Sequence, residues 1–224
     1  MIAHPLPLRR HGTWTGRVLA PAAAVARRPP EISWEVGAAF PIPALTAAQA
    51  LDEALAIESG DWVVVNGAGG VTGGMLVQLA AARGARVIAT ASAKKGERVR
   101  GYGASEVLDY RDDWPALVRE ITGGGAPRAV NAARGQAATT LKAVADGGCL
   151  ATITGDPPRE ERGVAVFDVY VRPDGRQLAA LAELLACGTL SVPIASVRPL
   201  EQAAEALCEV VEGADGAVIL SLRT

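Results

Sequence analysis

From residue 62 onward, short and nearly continuous apolar runs alternate with segments whose apolar positions fall three and four apart, and glycine-containing turns separate the two. Residues 62–66 form such a run, the pattern of a strand buried on both faces. Residues 86–91, 106–109, 128–132 and 149–154 repeat it. Between them, 75–83, 94–102, 114–122 and 136–145 carry helical spacing. Strands alternating with helices through short turns predict an α/β fold. It is a Rossmann-type, doubly wound parallel sheet with helices on both faces, because crossovers between parallel strands are right-handed.

The flanks are less regular. Residues 1–32 are rich in Pro, Arg and Ala, and 13–20 read as a short edge strand. Ser33 is placed to cap a short helix, with Glu35 in its first turn. Residues 45–57 read as an amphipathic helix ended by Gly60. After a polar loop at 156–162, residues 164–171 are extended and 174–186 are helical, with Gly188 fitting a C-terminal cap. Residues 192–197, 201–212 and 217–222 read as strand, helix, strand. The expected organisation is an N-terminal arm (1–44), a dinucleotide-binding domain (45–172) and a C-terminal segment packed on it (173–224).

Composition narrows the function. Half of the 224 residues are hydrophobic, enough for a full core. The formal net charge is −2 with no block of like charge, which argues against nucleic-acid or anionic-membrane partners. No apolar run approaches the roughly 20 residues a bilayer span needs. Residues 1–10 carry Pro5, Pro7, Arg9 and Arg10 but no apolar stretch, unlike a signal peptide, so the cytoplasm is the expected compartment. Cys149, Cys187 and Cys208 form no CxxC pair and read as small apolar residues. The histidines are His4 and His11, so no metal site is expected.

The chemistry concentrates in one turn. After the strand at 62–66 come Gly67, Ala68, Gly69, Gly70, Val71, Thr72, Gly73 and Gly74, opening a helix. This strand–glycine turn–helix context is what a dinucleotide pyrophosphate requires. Gly67 permits a tight turn, Gly70 leaves no side chain where phosphate must approach, and Gly73 lets the helix sit close to the strand. The first-turn amides around Val71 and Thr72 then donate to the phosphates. No Gly-Lys-Ser/Thr follows, which excludes a nucleoside-triphosphate loop. At the end of the second strand no acid is present to hold a ribose 2′-hydroxyl. Ser92, Lys94 and Lys95 stand there instead. Two lysines at a helix start are disfavoured by the macrodipole unless an anion offsets them. A 2′-phosphate does so, and the expected cofactor is NADPH rather than NADH.

Several ordered motifs resemble the zinc-independent quinone-oxidoreductase branch of the medium-chain dehydrogenase/reductases. They are residues 40–47 (FPIPALTA), 63–74 (VVVNGAGGVTGG), 88–95 (IATASAKK), 103–110 (GASEVLDY), 171–175 (VRPDG) and 198–206 (RPLEQAAEA). The resemblance implies that Gly67, Gly70, Val71, Thr72 and Gly73 bind pyrophosphate. It places Ser92, Lys94, Lys95 and Tyr110 around the adenosine 2′-phosphate. It places Thr154, Gly155 and Val171, with the loop at 132–135, beside the nicotinamide. It implies a homodimer that reduces quinones or activated C=C bonds in a small-molecule substrate by hydride transfer from NADPH. The family begins with a GroES-like barrel, of which only 11–30 and 176–224 have counterparts here, so the chain reads as a truncated member. Gly216-Ala217 stands where the family has Gly-Lys. No catalytic residue is nominated, since a quinone takes its proton from water, and Thr46, Arg134 and Tyr170 are only polar candidates for the cleft. Two alternatives stay open. One is a non-redox cyclase or isomerase of polyketide-type biosynthesis on the same scaffold. The other is an NADPH sensor, or the cofactor half of a split enzyme whose exposed cleft a separate partner chain covers.

Overall fold

The computed structural model describes residues 1–4 and 13–222. Pro5, Pro7, Arg9, Arg10 and His11, which bore on the leader and metal readings, lie outside the described residues. The chain divides into two compact units, one of Thr46–Tyr170 and one joining Met1–Leu45 to Val171–Thr224.

In chain order the first unit begins with β1 (Ile2–Ala3), antiparallel to β2 (Val25–Ala26), followed by α1 (Trp34–Ala39). The Ser33 side chain accepts from the Val36 amide and caps α1, as its sequence position predicts. Ser33→Ala should cost about 1 kcal/mol of stability, read from chemical denaturation. An unchanged midpoint would show the cap to be idle. The expected edge strand at 13–20 is absent, since those residues are irregular. Helix α2 (Pro41–Ala48) starts four residues before the expected helix and continues as a π-helical turn, Gln49–Ala54. Pro41 and Pro43 fall in the first turn, where a missing N–H costs nothing because that turn has no intrahelical acceptors.

The second unit carries β3 (Trp62–Asn66), α3 (Val71–Ala82), β4 (Arg86–Ala91), α4 (Ala93–Gly101), β5 (Glu106–Asp109), α5 (Trp114–Thr122), β6 (Ala126–Asn131), α6 (Ala137–Ala143), β7 (Val144–Thr152) and β8 (Ala165–Asp168). The six strands pair in parallel in the order β5-β4-β3-β6-β7-β8. The reversal of direction between β4 and β6, on either side of β3, is the switch point at which such sheets bind ligands. Val63, Val64 and Val65 are fully buried, which is why the run looked continuously apolar. On one face Val64 and Ile88 pack with Trp114 and Val118 of α5 and Leu141 of α6. On α3, Gly73 to Ala80 are all buried. Helix α3 begins four residues before the helical spacing becomes visible, because Gly73 and Gly74 occupy its first turn.

The remainder of the first unit is α7 (Gly175–Ala186), α8 (Ala203–Glu212) and the parallel pair β9 (Ile194–Pro199) and β10 (Ala217–Ser221). Asp174 caps α7 through the Gln177 amide at 2.8 Å. Gly188 follows α7 with φ +81°, matching its expected capping role. No helix among the described residues is long and apolar enough to cross a membrane.

Candidate functional site

A cleft of about 500 Å³ opens at the C-terminal ends of β3 and β4. Its floor is the glycine turn. Gly67 has φ +87°, and a Cβ there would stand 3.0 Å from the Ala132 carbonyl carbon, so both conformation and packing demand glycine. A Cβ at Gly73 would fall 2.1 Å from the Gly67 carbonyl oxygen, so only glycine lets α3 approach the strand end. Gly70 differs. Its φ of −84° suits any residue, and a Cβ would meet nothing nearer than 3.6 Å. The protein's own packing does not require glycine at 70, and the space it leaves faces the first turn of α3. A pyrophosphate fits there: α3 supplies unshared first-turn amides and a positive dipole end, with no side chain in the way.

The walls separate two ends. On the β4 side the lining includes Thr90, Ala91, Ser92, Lys95, Tyr110 and Trp114. Ser92 precedes α4 without its hydroxyl capping the helix. The Lys95 stem crosses the turn, its Cδ 2.9 Å from where a Cβ on Gly69 would lie. Among the described residues of this lining, Lys95 carries a positive charge and none is a carboxylate. Asp109, next to Tyr110 in sequence, is held by the Arg111 guanidinium through bonds of 3.0 and 2.7 Å, and that pairing lowers its pKa to about 2. Lys94 is exposed and outside the lining, one helical step away from Lys95. Tyr110 is half exposed at the rim. On the β6 side Ala133 and Gln136 line the cleft.

Of the expected residues, Gly67, Gly70, Ser92, Lys95 and Tyr110 come together in this cleft. Val71, Thr72 and Gly73 form the start of α3 beside it. Thr154 and Gly155 follow β7, and Val171 belongs to the first unit. Thr46 is buried, while Arg134 and Tyr170 are exposed. Among the described residues no group of three His, Cys, Asp or Glu side chains is placed to hold a metal ion.

One feature escaped the sequence reading. Asn66, Asn131 and Thr152 end β3, β6 and β7, Thr90 is the next-to-last residue of β4, and the four form a buried polar row across the sheet. Thr90 Oγ donates to Asn66 Oδ1 at 2.6 Å and accepts from the Gly67 amide at 3.0 Å, anchoring the glycine turn. Asn66 Nδ2 donates to Asn131 Oδ1 (3.1 Å) and to Thr140 Oγ (2.9 Å). Asn131 Nδ2 donates to Thr152 (3.3 Å) and Thr154 (2.9 Å). Both threonine hydroxyls donate onward to Asp156. Partial burial raises the Asp156 pKa. The bonds from Thr154, Thr152 and the Gly135 and Ala137 amides outweigh that and hold the carboxyl below its ordinary value. Its contribution to stability is therefore present above the unfolded carboxylate pKa and is lost only as pH falls through the lowered folded value.

Comparison with known proteins agrees with the fold. The family described as zinc-binding dehydrogenase matches residues 71–173. The probable zinc-binding oxidoreductase, mitochondrial, of Arthroderma benhamiae is 31% identical over 226 residues, covering 92% of this chain and 67% of that protein. The quinone oxidoreductase of Sus scrofa is 28% identical over 229 residues, covering 94% and 70%. A crystal structure of an NAD-dependent alcohol dehydrogenase superposes with a TM-score of 0.86 at 33% identity, covering 96% of this chain and 66% of that one. A mycobacterial protein solved in complex with NADPH gives a TM-score of 0.80 at 27% identity, covering 90% and 68%. The chain thus spans about two thirds of the length of these proteins.

Proposed function

The chain belongs to the medium-chain dehydrogenase/reductase family, beside its quinone oxidoreductases, and from that premise we propose that it is an oxidoreductase that uses NADPH to reduce a quinone or an activated C=C bond. The observation that carries this reading is the cleft itself: Gly70 leaves room for pyrophosphate where packing requires none, and the β4 end offers Lys95 and Ser92 without a carboxylate. Gly67, Gly70, Gly73 and the amides of Val71 and Thr72 would hold the pyrophosphate. Ser92 and Lys95, with Lys94 and Tyr110 at the rim, would hold the 2′-phosphate. Thr154 and Gly155 would flank the nicotinamide. When bound, the cofactor supplies the hydride. The protein's own part is to bind, to orient, and to keep the turn rigid through Thr90. A reduced quinone draws its protons from water, so no general acid is assigned.

Calorimetric titration with NADPH and NADH tests the reading. NADPH should bind at least roughly tenfold more tightly, the share of a charge-assisted phosphate contact. Lys95→Ala should remove most of that preference and Lys94→Ala much less of it. The likeness to an NAD-dependent alcohol dehydrogenase makes the comparison decisive, and equal affinities would overturn the choice of NADPH. Absence of binding for both at millimolar concentration would sink the redox reading and favour non-redox chemistry on this scaffold.

A second reading, the cofactor half of a two-chain enzyme, is favoured by an apolar hollow of about 720 Å³ within the first unit, lined by residues including Trp14, Ile42, Leu207, Val210 and Ile219. Trp14 and Leu207 are more than half exposed, as a covered interface would leave them when bare. A homodimer in sedimentation that reduces quinones unaided would remove this reading.

A further inference from the structure

We propose that Asp156 is a positioning residue that ties the turn between β6 and α6 to the end of β7, and so fixes the cleft wall at the nicotinamide end. The inference rests on the dinucleotide reading above and concerns this chain's own backbone.

Asp156 Oδ2 accepts from the Gly135 amide at 2.8 Å. Its Oδ1 accepts from Thr152 Oγ at 3.0 Å and from Thr154 Oγ. One carboxylate therefore uses separate oxygens for two segments, one after β6 and one at the end of β7. The tip of the turn it grips is open: Gly135 has φ +74° and a Cβ there would meet nothing within 4 Å. Arg134, Gly135 and Gln136 are all exposed. The turn's other bonds among the described residues run from the Ala132 amide to Asn66 O at 2.8 Å, from the Ala133 amide to Asn131 Oδ1 at 3.4 Å, from the Gln136 amide to Ala133 O at 3.1 Å, and from the Thr140 amide and hydroxyl to Gln136 O at 2.9 Å each, so they hold its two ends and leave Gly135 to Asp156. Ala133 and Gln136 nevertheless line the cleft, so any displacement of the turn moves the wall. A negative charge at the start of α6 also suits the helix dipole, which makes the grip favourable in the absence of ligand.

The strand order confines the effect. Asp156 follows β7, on the β6 side of β3, whereas Ser92, Lys95 and Tyr110 follow β4 and β5 on the opposite side. Losing the carboxylate should loosen one end of the cleft and leave the other intact. A merely structural residue would weaken both.

The experiment compares wild type, Asp156→Ala and Asp156→Asn by amide hydrogen exchange without cofactor and by calorimetry with NADPH and with 2′,5′-ADP, which carries only the adenosine half. In Asp156→Ala, protection of the Gly135 and Ala137 amides should fall roughly tenfold or more, and the NADPH dissociation constant should rise roughly tenfold. Affinity for 2′,5′-ADP should stay within about twofold of wild type. Asp156→Asn keeps one acceptor oxygen and should fall between. Unchanged protection, unchanged NADPH affinity, or parallel weakening of both ligands overturns the inference. A wild-type chain that binds neither ligand overturns the cofactor reading and this inference together. Wild-type binding with an unaltered Asp156→Ala overturns this inference alone.

Discussion

Gly73→Ala should destabilise the dinucleotide-binding unit by about 3 kcal/mol or more, beyond the ordinary cost of overpacking a core. The new methyl would lie 2.1 Å from the Gly67 carbonyl oxygen, 2.8 Å from its carbonyl carbon and 2.9 Å from Ala68 Cα. All three are backbone atoms and cannot swing aside as a side chain does. Gly67 cannot yield either, since its amide is bonded to Thr90 and its other side meets Ala132 and Ala133. Either α3 lifts off β3, exposing part of its buried face from Gly73 to Ala80, or the turn breaks. Chemical denaturation followed by circular dichroism gives the difference. A loss under about 1 kcal/mol would mean that the helix relaxes at little cost.

Gly70→Ala should do the opposite. Its backbone is ordinary and a Cβ has 3.6 Å of room, so stability should change by no more than about 0.5 kcal/mol. The methyl enters the space reserved for phosphate, and dinucleotide affinity should fall by about 100-fold or more. The pair separates two reasons for a glycine, packing and ligand approach, within one turn. A stable Gly70→Ala chain that binds NADPH as wild type does would remove the phosphate from this turn.

The central strands were legible because they are buried on both faces and so are apolar with little interruption, as at Val63–Val65. Helix starts were less so: α3 opens through glycines and α2 through prolines, residues that depress helical pattern but suit a first turn. The expected strand at 13–20 pairs with no strand among the described residues, and strand propensity alone builds no ladder. At the cofactor end the choice between Lys94 and Lys95 needed the helix phase, because adjacent residues on a helix differ by roughly 100° in direction. The polar row could not be read at all. In sequence Asn66 looks like a strand's polar last residue and Thr90, Asn131 and Thr152 like polar residues near a strand's end, and only the pairing order β4-β3-β6-β7 makes them neighbours.

That row also bears on how the sheet assembles. Asn66 meets Thr90 across 24 residues and Asn131 meets Thr152 across 21, but Asn66 meets Asn131 across 65. Each half of the sheet can therefore form from nearby chain, and Asn131 and Thr140 are bonded within theirs, but Asn66 Nδ2 is left short of a partner at the inner edge of the other. Joining the halves gives that Nδ2 two acceptors at once, Asn131 Oδ1 and Thr140 Oγ. A slip by one residue would turn the amides to the other face and strand them in apolar surroundings. The row thus makes docking of β6 on β3 an all-or-none event in a single register, and its amides should be among the last to exchange as the protein opens.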